Sequence, residues 1–367
     1  MSLPPEIIVD IFLKLPVKPL LRFRCLSKSM CSTIDDSDFI KAHLNRSIET
    51  NTHKKLILFG HTKTSTVISG IYAVDLSDGL KESVKLDNSL NHGRFSVIDC
   101  CSGLFLLLEP RIINSLNTVK LVLWNPFTKR YKRLTDPPVE SSSMFKPLQQ
   151  YSYRYFDSFG LGYDAARNDH KVVRILYEKP KEVWIYSLRS DSWRKVEDWC
   201  QIALGVMGMF VNGVMYFEGE NLENIVSFDF ATEKFSIMPF PEGYEKSCSH
   251  LRVLEGRLCL CTLGRHRTLD IYVGDKHEDG LTWSKLIKIP DYQTHTDHIR
   301  NLRPLCYSRE GDKILLIEER DDFVWYDLNK KTTESIQTVC DIKKHYRLKF
   351  FNLSNNTTCW ESLVSLG

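Results

Sequence analysis

Two patterns of apolar residues divide the chain. Within residues 1–45, Ile7, Ile8, Ile11, Phe12 and Leu15 recur at three- and four-residue spacing, which lines one side of a helix. Pro4 and Pro5 precede this run, where a missing amide proton costs a helix little. Pro16 ends it, because the residue before a proline is driven out of helical backbone space. Pro19 suits the first turn of a second helix carrying Leu20, Leu21, Cys25 and Leu26, and the aspartates between 35 and 38 supply a cap for a last helix through Phe39, Ile40 and Leu44. The pattern predicts three or four short helices over 1–45, a connector over 46–53, and a different architecture over 54–367.

From residue 54 onward short runs of Val, Ile, Tyr, Phe and Trp alternate with Gly, Asn, Asp and Ser, which predicts many strands. One unit recurs: an aromatic, a polar turn, then often a second aromatic and an aliphatic. It reads VLWNPFTKRYKRL at 122–134, WIYSLRSDSWRKV at 184–196, VSFDFATEKFSIM at 226–238 and, more loosely, VWYDLNKKTTESI at 324–336. Tyr72, Trp124, Tyr186, Phe228, Tyr272 and Tyr326 lead the units, with separations of 52, 62, 42, 44 and 54 residues. That is close to the kelch period of about 50, in which each repeat is a four-stranded blade. The expected fold is mainly β, a kelch-like propeller of about six blades preceded by a small all-α unit. Paired aromatics should pack between blades, and residues 54–60 should pair with 345–351 to close the ring and remove its open edges. The proline- and serine-rich stretch 136–150 is expected to be a long surface loop.

The helical unit carries more apolar surface than a segment of its size can hide. Either it packs as a cap on the rest of the chain, or part of it faces a partner. The residues LPPEIIVDIFLKLPVKPLLRFRCLSKSM resemble an F-box, the helical motif that docks on the Skp adaptor of cullin-based ubiquitin ligases. The Leu-Pro opening, the second Leu-Pro at Leu15–Pro16 and the LLRFRCLSK run match in order and spacing; Met30 stands where the family usually has tryptophan. The resemblance implies adaptor contacts by Leu3, Pro4, Ile7, Ile8, Ile11, Leu15, Pro16, Leu20, Leu21, Cys25 and Leu26.

The second part has its own likeness. SGLFLLL at 102–108, WNPFTKR after it and FGLGYDAARNDHKVVRI at 159–175 resemble, in that order, the plant F-box-associated interaction domain, which is kelch-related. Together the two resemblances imply a substrate receptor of a Skp–cullin–F-box ubiquitin ligase, similar to the plant group that targets immune receptors for turnover. Its partners would be the adaptor, through it a cullin, and a protein target held by propeller loops for ubiquitination and degradation. The loops 136–150, 218–223, 266–280 and 291–300 are candidates because they are long or polar. The alternative is a propeller scaffold whose helices serve only its own fold.

Charge and composition narrow this further. Lys plus Arg number 49 against 46 Asp plus Glu, a formal charge of +3, so nothing suggests a nucleic-acid tail. The N-terminal residues lack a basic n-region and hold Glu6 and Asp10 among the apolar ones, a poor signal peptide. The eleven cysteines form no CxxC pair and read as reduced core residues of a cytoplasmic and nuclear protein, with no membrane span. His295 with His298 lacks a third metal ligand, Cys259 with Cys261 reads as two packed thiols on one strand face, and the basic run 129–133 falls inside a repeat. No catalytic motif stands out, so no enzyme activity, cofactor or metal is expected.

Overall fold

The computed structural model describes residues 4–61, 68–76, 80, 83–86, 95–113, 116–136, 157–176, 182–197, 204–219, 223–244, 249–264, 268–277, 280–290, 303–308, 310–317, 323–336, 347–348 and 358–366. Four helices open the chain: α1 (Pro5–Phe12), α2 (Val17–Phe23), α3 (Lys28–Asp35) and α4 (Ser37–Glu49). Pro16 separates the first two and is itself the N-cap residue of α2. Ser27 caps α3 by accepting from the Met30 amide, and Asp36 caps α4 by accepting from Asp38 and Phe39. The last helix runs past residue 45 to Glu49, where Thr50 bonds back to the Arg46 carbonyl and Asn51 turns left-handed at φ 48°. The helical unit is therefore longer than the sequence pattern suggests, and the connector shorter.

Six blades follow, each ordered from the ring axis outward. In blade 1, β1 (Lys54–His61), β2 (Ile68–Asp75) and β3 (Ser83–Leu86) are completed on the inner side by the C-terminal strands β24 (Arg347–Leu348) and β25 (Thr358–Trp360). Blade 2 holds β4 (Ser96–Cys101), β5 (Leu104–Ile113), β6 (Leu116–Asn125) and β7 (Arg130–Arg133). Blade 3 holds β8 (Asp157–Asp164), β9 (Asp169–Leu176), β10 (Glu182–Ser187) and β11 (Ser192–Val196). In blade 4 come β12 (Leu204–Val211), β13 (Val214–Gly219), β14 (Ile225–Asp229) and β15 (Lys234–Met238). Blade 5 is β16 (Ser249–Leu254), β17 (Arg257–Leu263), β18 (Leu269–His277) and β19 (Gly280–Ile289); blade 6 is β20 (Arg303–Tyr307), β21 (Lys313–Ile317), β22 (Phe323–Asp327) and β23 (Thr333–Ser335). Neighbouring strands within each blade are antiparallel, and the inner strands β8 and β12 touch in parallel at Phe159 and Met207.

The repeat read from the sequence is the outer hairpin of each blade. All six leading aromatics lie on the third strand and face the fourth: Tyr72 opposes Lys85, Trp124 Tyr131, Tyr186 Trp193, Phe228 Phe235, Tyr272 Lys285 and Tyr326 Thr333. Each also packs into the apolar core shared with the preceding blade, and a separate core fills every junction around the ring. The polar residue after the aromatic shapes the turn. Asn125, Asp229 and Asp327 each accept from the backbone amides two and three positions on, and the turn ends in a left-handed residue at Lys129, Glu233 or Lys331.

The expected closure pairing is present where Gly60 and His61 meet Leu348 and Arg347. A second contact, absent from the sequence expectation, sets Lys54, Lys55 and Leu56 against Trp360, Cys359 and Thr358. Gly103 is the fixed point beneath it: its φ is +77°, and a Cβ there would lie 2.4 Å from Ser362 Cβ and 2.7 Å from the Trp360 carbonyl oxygen. Gly103→Ala should cost about 1–3 kcal/mol from backbone conformation alone, with displacement of the closing strand in addition. Urea unfolding checks this; a midpoint equal to wild type contradicts it.

One buried carboxyl joins two blades. Asp99 on β4 sits beside a bulge and accepts from the Leu161 amide of blade 3 at 3.0 Å and from the Cys100 amide at 2.8 Å. Burial pushes this carboxyl up to about 7 despite those donors. An unfolded aspartate titrates near about 4, so between about pH 4 and 7 the folded protein holds a proton that the unfolded chain has released, and stability falls as pH rises. His170, pushed down to about 4 by burial, works in the opposite sense. The clean measure is therefore a difference. The stability of wild type relative to Asp99→Asn should decline across about pH 4 to 7, and parallel pH profiles would refute the assignment.

Candidate functional site

The helical unit solves its surplus of apolar surface in two ways. Phe12, Val17, Leu20, Ile34 and Phe39 form a core that Leu363 enters from the C-terminal segment, with Phe127 of the β6–β7 turn packed alongside. The Phe12 and Phe23 rings lie 5.3 Å apart between α1 and α2. By contrast, Ile7, Ile11 and Leu26 are left 46%, 42% and 69% exposed. Ile7 and Ile11 are four residues apart on α1 and so share one face. Cys25 and Pro4 are exposed too.

The residues implied as adaptor contacts therefore separate by position. Pro4, Ile7, Ile11, Cys25 and Leu26 are exposed, while Ile8, Leu15, Pro16 and Leu21 are half-buried. Leu20 is fully buried in the helical core, which corrects its place among the contacts: it has no surface left for a partner. Leu3 lies outside the described residues. Met30 is half-buried against the same core.

Polar contacts hold the α1–α2 corner that shapes this face. Buried His43 on α4 donates from Nε2 to the Leu15 carbonyl at 2.8 Å, and burial holds its pKa below the usual histidine range, keeping it neutral. His53 reaches the Lys14 carbonyl at 3.2 Å. Arg24 makes a two-point pair with Asp35, which joins the end of α2 to α3 and lowers the Asp35 pKa. The pair is exposed, so its contribution is orientation more than stability.

The two ends of the ring differ. The first-to-second and third-to-fourth strand turns lie at one end, and the helical unit sits there, against Phe127 and the residues after β25. At that end the connections are short, as at 102–103, 165–168, 212–213 and 255–256. The blade-to-blade connections emerge at the other end and are longer: β7 ends at Arg133 and β8 starts at Asp157, while β19 ends at Ile289 and β20 starts at Arg303.

Of the candidate loops, 136–150 and 291–300 lie outside the described residues except for residue 136. So does the centre of 218–223, and so do His295 and His298. The segment 266–280 is corrected: most of it is strand β18, paired with both β17 and β19. Its Leu269, Ile271 and Val273 point inward while Asp270 and Tyr272 alternate with them, so polar residues that read as a loop are one face of a strand.

Other candidate chemistry resolves into structure. Cys259 and Cys261 lie buried together in the core between blades 5 and 6, where burial pushes the Cys259 thiol well above its ordinary range. Within the basic run, Arg133 pairs with Glu109 and Lys132 with Asp191. A polar hollow of about 290 Å³ between blades 3 and 4 is lined by Arg167, Lys171, Arg194 and Glu233. Lys171 donates to Asp164, Glu233 and the Phe230 carbonyl, Arg167 pairs with Asp164, and Arg194 pairs with Glu233. These cations already have partners, which makes the cluster a clamp between blades. Among the described residues no three metal-ligating side chains gather, and no helix is long and apolar enough to cross a membrane.

Comparison with known proteins agrees with this division. A family described as the F-box associated beta propeller domain matches residues 56–366, and one described as the F-box domain matches 1–42. The F-box protein CPR1 of Arabidopsis thaliana is 29% identical over 371 residues, covering 92% of this chain and 84% of that protein. The F-box/kelch-repeat protein At3g23880 of the same plant is 26% identical, covering 89% and 88%. Among solved structures, the β-propeller domain of the Trilobed protease from Pyrococcus furiosus aligns with a TM-score of 0.38 at 13% identity, covering 67% of this chain and 71% of that one.

Proposed function

We propose, from the premise that this chain belongs to the F-box proteins with an F-box-associated β-propeller, that it is the substrate-recognition subunit of a Skp–cullin–F-box ubiquitin ligase. The observation that carries the reading is the exposed apolar face of Ile7 and Ile11 on α1, together with exposed Leu26 after α2. Apolar area of that kind drives docking of one protein on another. The subunit supplies proximity: it holds target lysines near the charged ubiquitin carrier and so raises their effective concentration. The bond-making chemistry belongs to its partners.

The target is engaged at the propeller end remote from the F-box. There the long connections between blades can vary in length without disturbing the ring, while the near end is occupied by helices and short capped turns. The proposed target class, from the sequence resemblance, is an intracellular immune receptor, its turnover restraining plant defence in the cytoplasm and nucleus.

The test is reconstitution of the purified chain with a plant Skp adaptor, a cullin and the ubiquitin-transfer enzymes. A stable complex is expected, and a variant with residues 137–156 replaced by a short linker should still enter it while losing target capture from plant extract. Failure of the folded wild-type chain to bind the adaptor would favour the second reading, a propeller scaffold. That reading draws on Leu363 and Phe127, which make the helices part of the propeller's own packing.

A further inference from the structure

We propose that residues 361–366 form a strap that holds the F-box in one orientation on the propeller, with Glu361 and Leu363 as its positioning residues. Its purpose rests on the ligase reading above, but the geometry stands independently. The chain does not stop at the closing strand β25; it crosses the helical end of the ring and binds both domains in turn.

Glu361 begins the crossing. Its amide donates to the His53 carbonyl at 3.0 Å, and its carboxylate accepts from the Val17 amide at 2.9 Å and lies 3.6 Å from Lys55 Nζ. Val17 is the first residue of α2, and a helix leaves its first amides without internal partners. Pro16 precedes it and makes no side-chain cap, so the oxygen comes from a residue 344 positions away. Asn125 of blade 2 then donates to the Ser362 and Val364 carbonyls at 2.9 and 3.1 Å. Between those anchors Leu363 enters the F-box core beside Phe12, Val17, Leu20, Ile34 and Phe39. Leu366 finally packs into the core between blades 2 and 3.

The strap thus alternates between partners: blade 1 and α2 at Glu361, blade 2 at Ser362, the helices at Leu363, blade 2 again at Val364. Without it, the links between F-box and propeller among the described residues would include residues 50–53, the contact of Phe127 and the charge of Arg130 near Asp35. A free tether lets a module sweep a volume and dilutes whatever it carries. A held module keeps adaptor and target at one separation, which raises the effective concentration of the reacting groups for ubiquitin transfer.

The experiment is a distance distribution on the full chain, measured by single-molecule energy transfer. Dyes are placed through non-natural residues at exposed Lys41 on α4 and exposed Lys288 on β19. Wild type should give one narrow distance. Glu361→Ala and Leu363→Ala should broaden it at least about twofold, as a flexible linker permits, while the propeller melting transition stays near wild type. Glu361→Gln keeps an oxygen for the Val17 amide and should restore most of the narrowness. A narrow distribution in both alanine variants overturns the proposal. So does broadening that comes with loss of the melting transition, since the segment would then serve only ring closure. Failure of the wild-type chain to bind a Skp adaptor would sink the ligase reading, whereas the distance comparison would still decide the strap.

Discussion

Replacing Ile7 and Ile11 together by aspartate should abolish capture by a Skp adaptor and leave the fold intact. Each side chain is nearly half exposed and on the same face of α1. Burying what remains of each would contribute about 1 kcal/mol or more, and a carboxylate in the same contact would have to be desolvated against that gain. The combined loss corresponds to at least about a hundredfold in affinity. Titration calorimetry with the adaptor, next to circular dichroism and melting of the variant, checks both halves. Near-normal affinity would mean that this face is not the docking surface. The double alanine at Leu15 and Pro16 is a poorer probe. Leu15 is half-buried against the helical core, and Pro16 sits at the N-cap of α2 with Glu361 bonded to the next amide. Loss of binding there would mix docking with folding.

Trp124→Ala should be the most damaging single change in the propeller, at about 3–5 kcal/mol. The indole is fully buried between blades 1 and 2, with ring centroids 5.8 Å from Phe105 and 6.5 Å from Phe59. Its core also contains Cys359 of the closing strand, so a cavity there weakens the junction that seals the ring. Native stability is commonly only about 5–15 kcal/mol, and this loss is a large part of it. Tyr131, directly opposite on β7 and 40% exposed, provides the internal control. Tyr131→Ala should cost less than about 1 kcal/mol. If the two variants shift the urea midpoint equally, the leading aromatic of the repeat does not have the role assigned to it.

The repeat itself was readable because it depends on neighbours in sequence. An aromatic, a polar turn residue and a partner strand lie within about a dozen residues, so every blade writes the same local message. All six leading aromatics consequently occupy the equivalent strand and the equivalent junction of their blades. Reading failed where two signals compete over a short stretch. Helix α3 shows little periodic signal because KSMCSTID has few apolar positions and is defined by its Ser27 cap. The stretch around β18 reads both as a repeat led by Tyr272 and as a polar loop, because every second residue is polar, although that alternation is what a half-buried strand requires. The motif alone places Leu20 with the docking residues because it does not show which side of α2 faces inward.

The two-part organisation, the blade repeat, the helical motif and hence the family are legible in the chain alone, since each is carried by spacing within a few residues to a few tens. Long-range packing sets which apolar residues of the F-box stay outside, which end of the ring the helices occupy, and the second seal of the ring by β25. Those outcomes hinge on contacts such as Val17 with Glu361, Asn125 with Ser362 and Lys54 with Trp360, whose partners are separated by hundreds of residues. No local periodicity encodes such a pairing; it exists only after the blades have turned full circle and brought the two ends of the chain together.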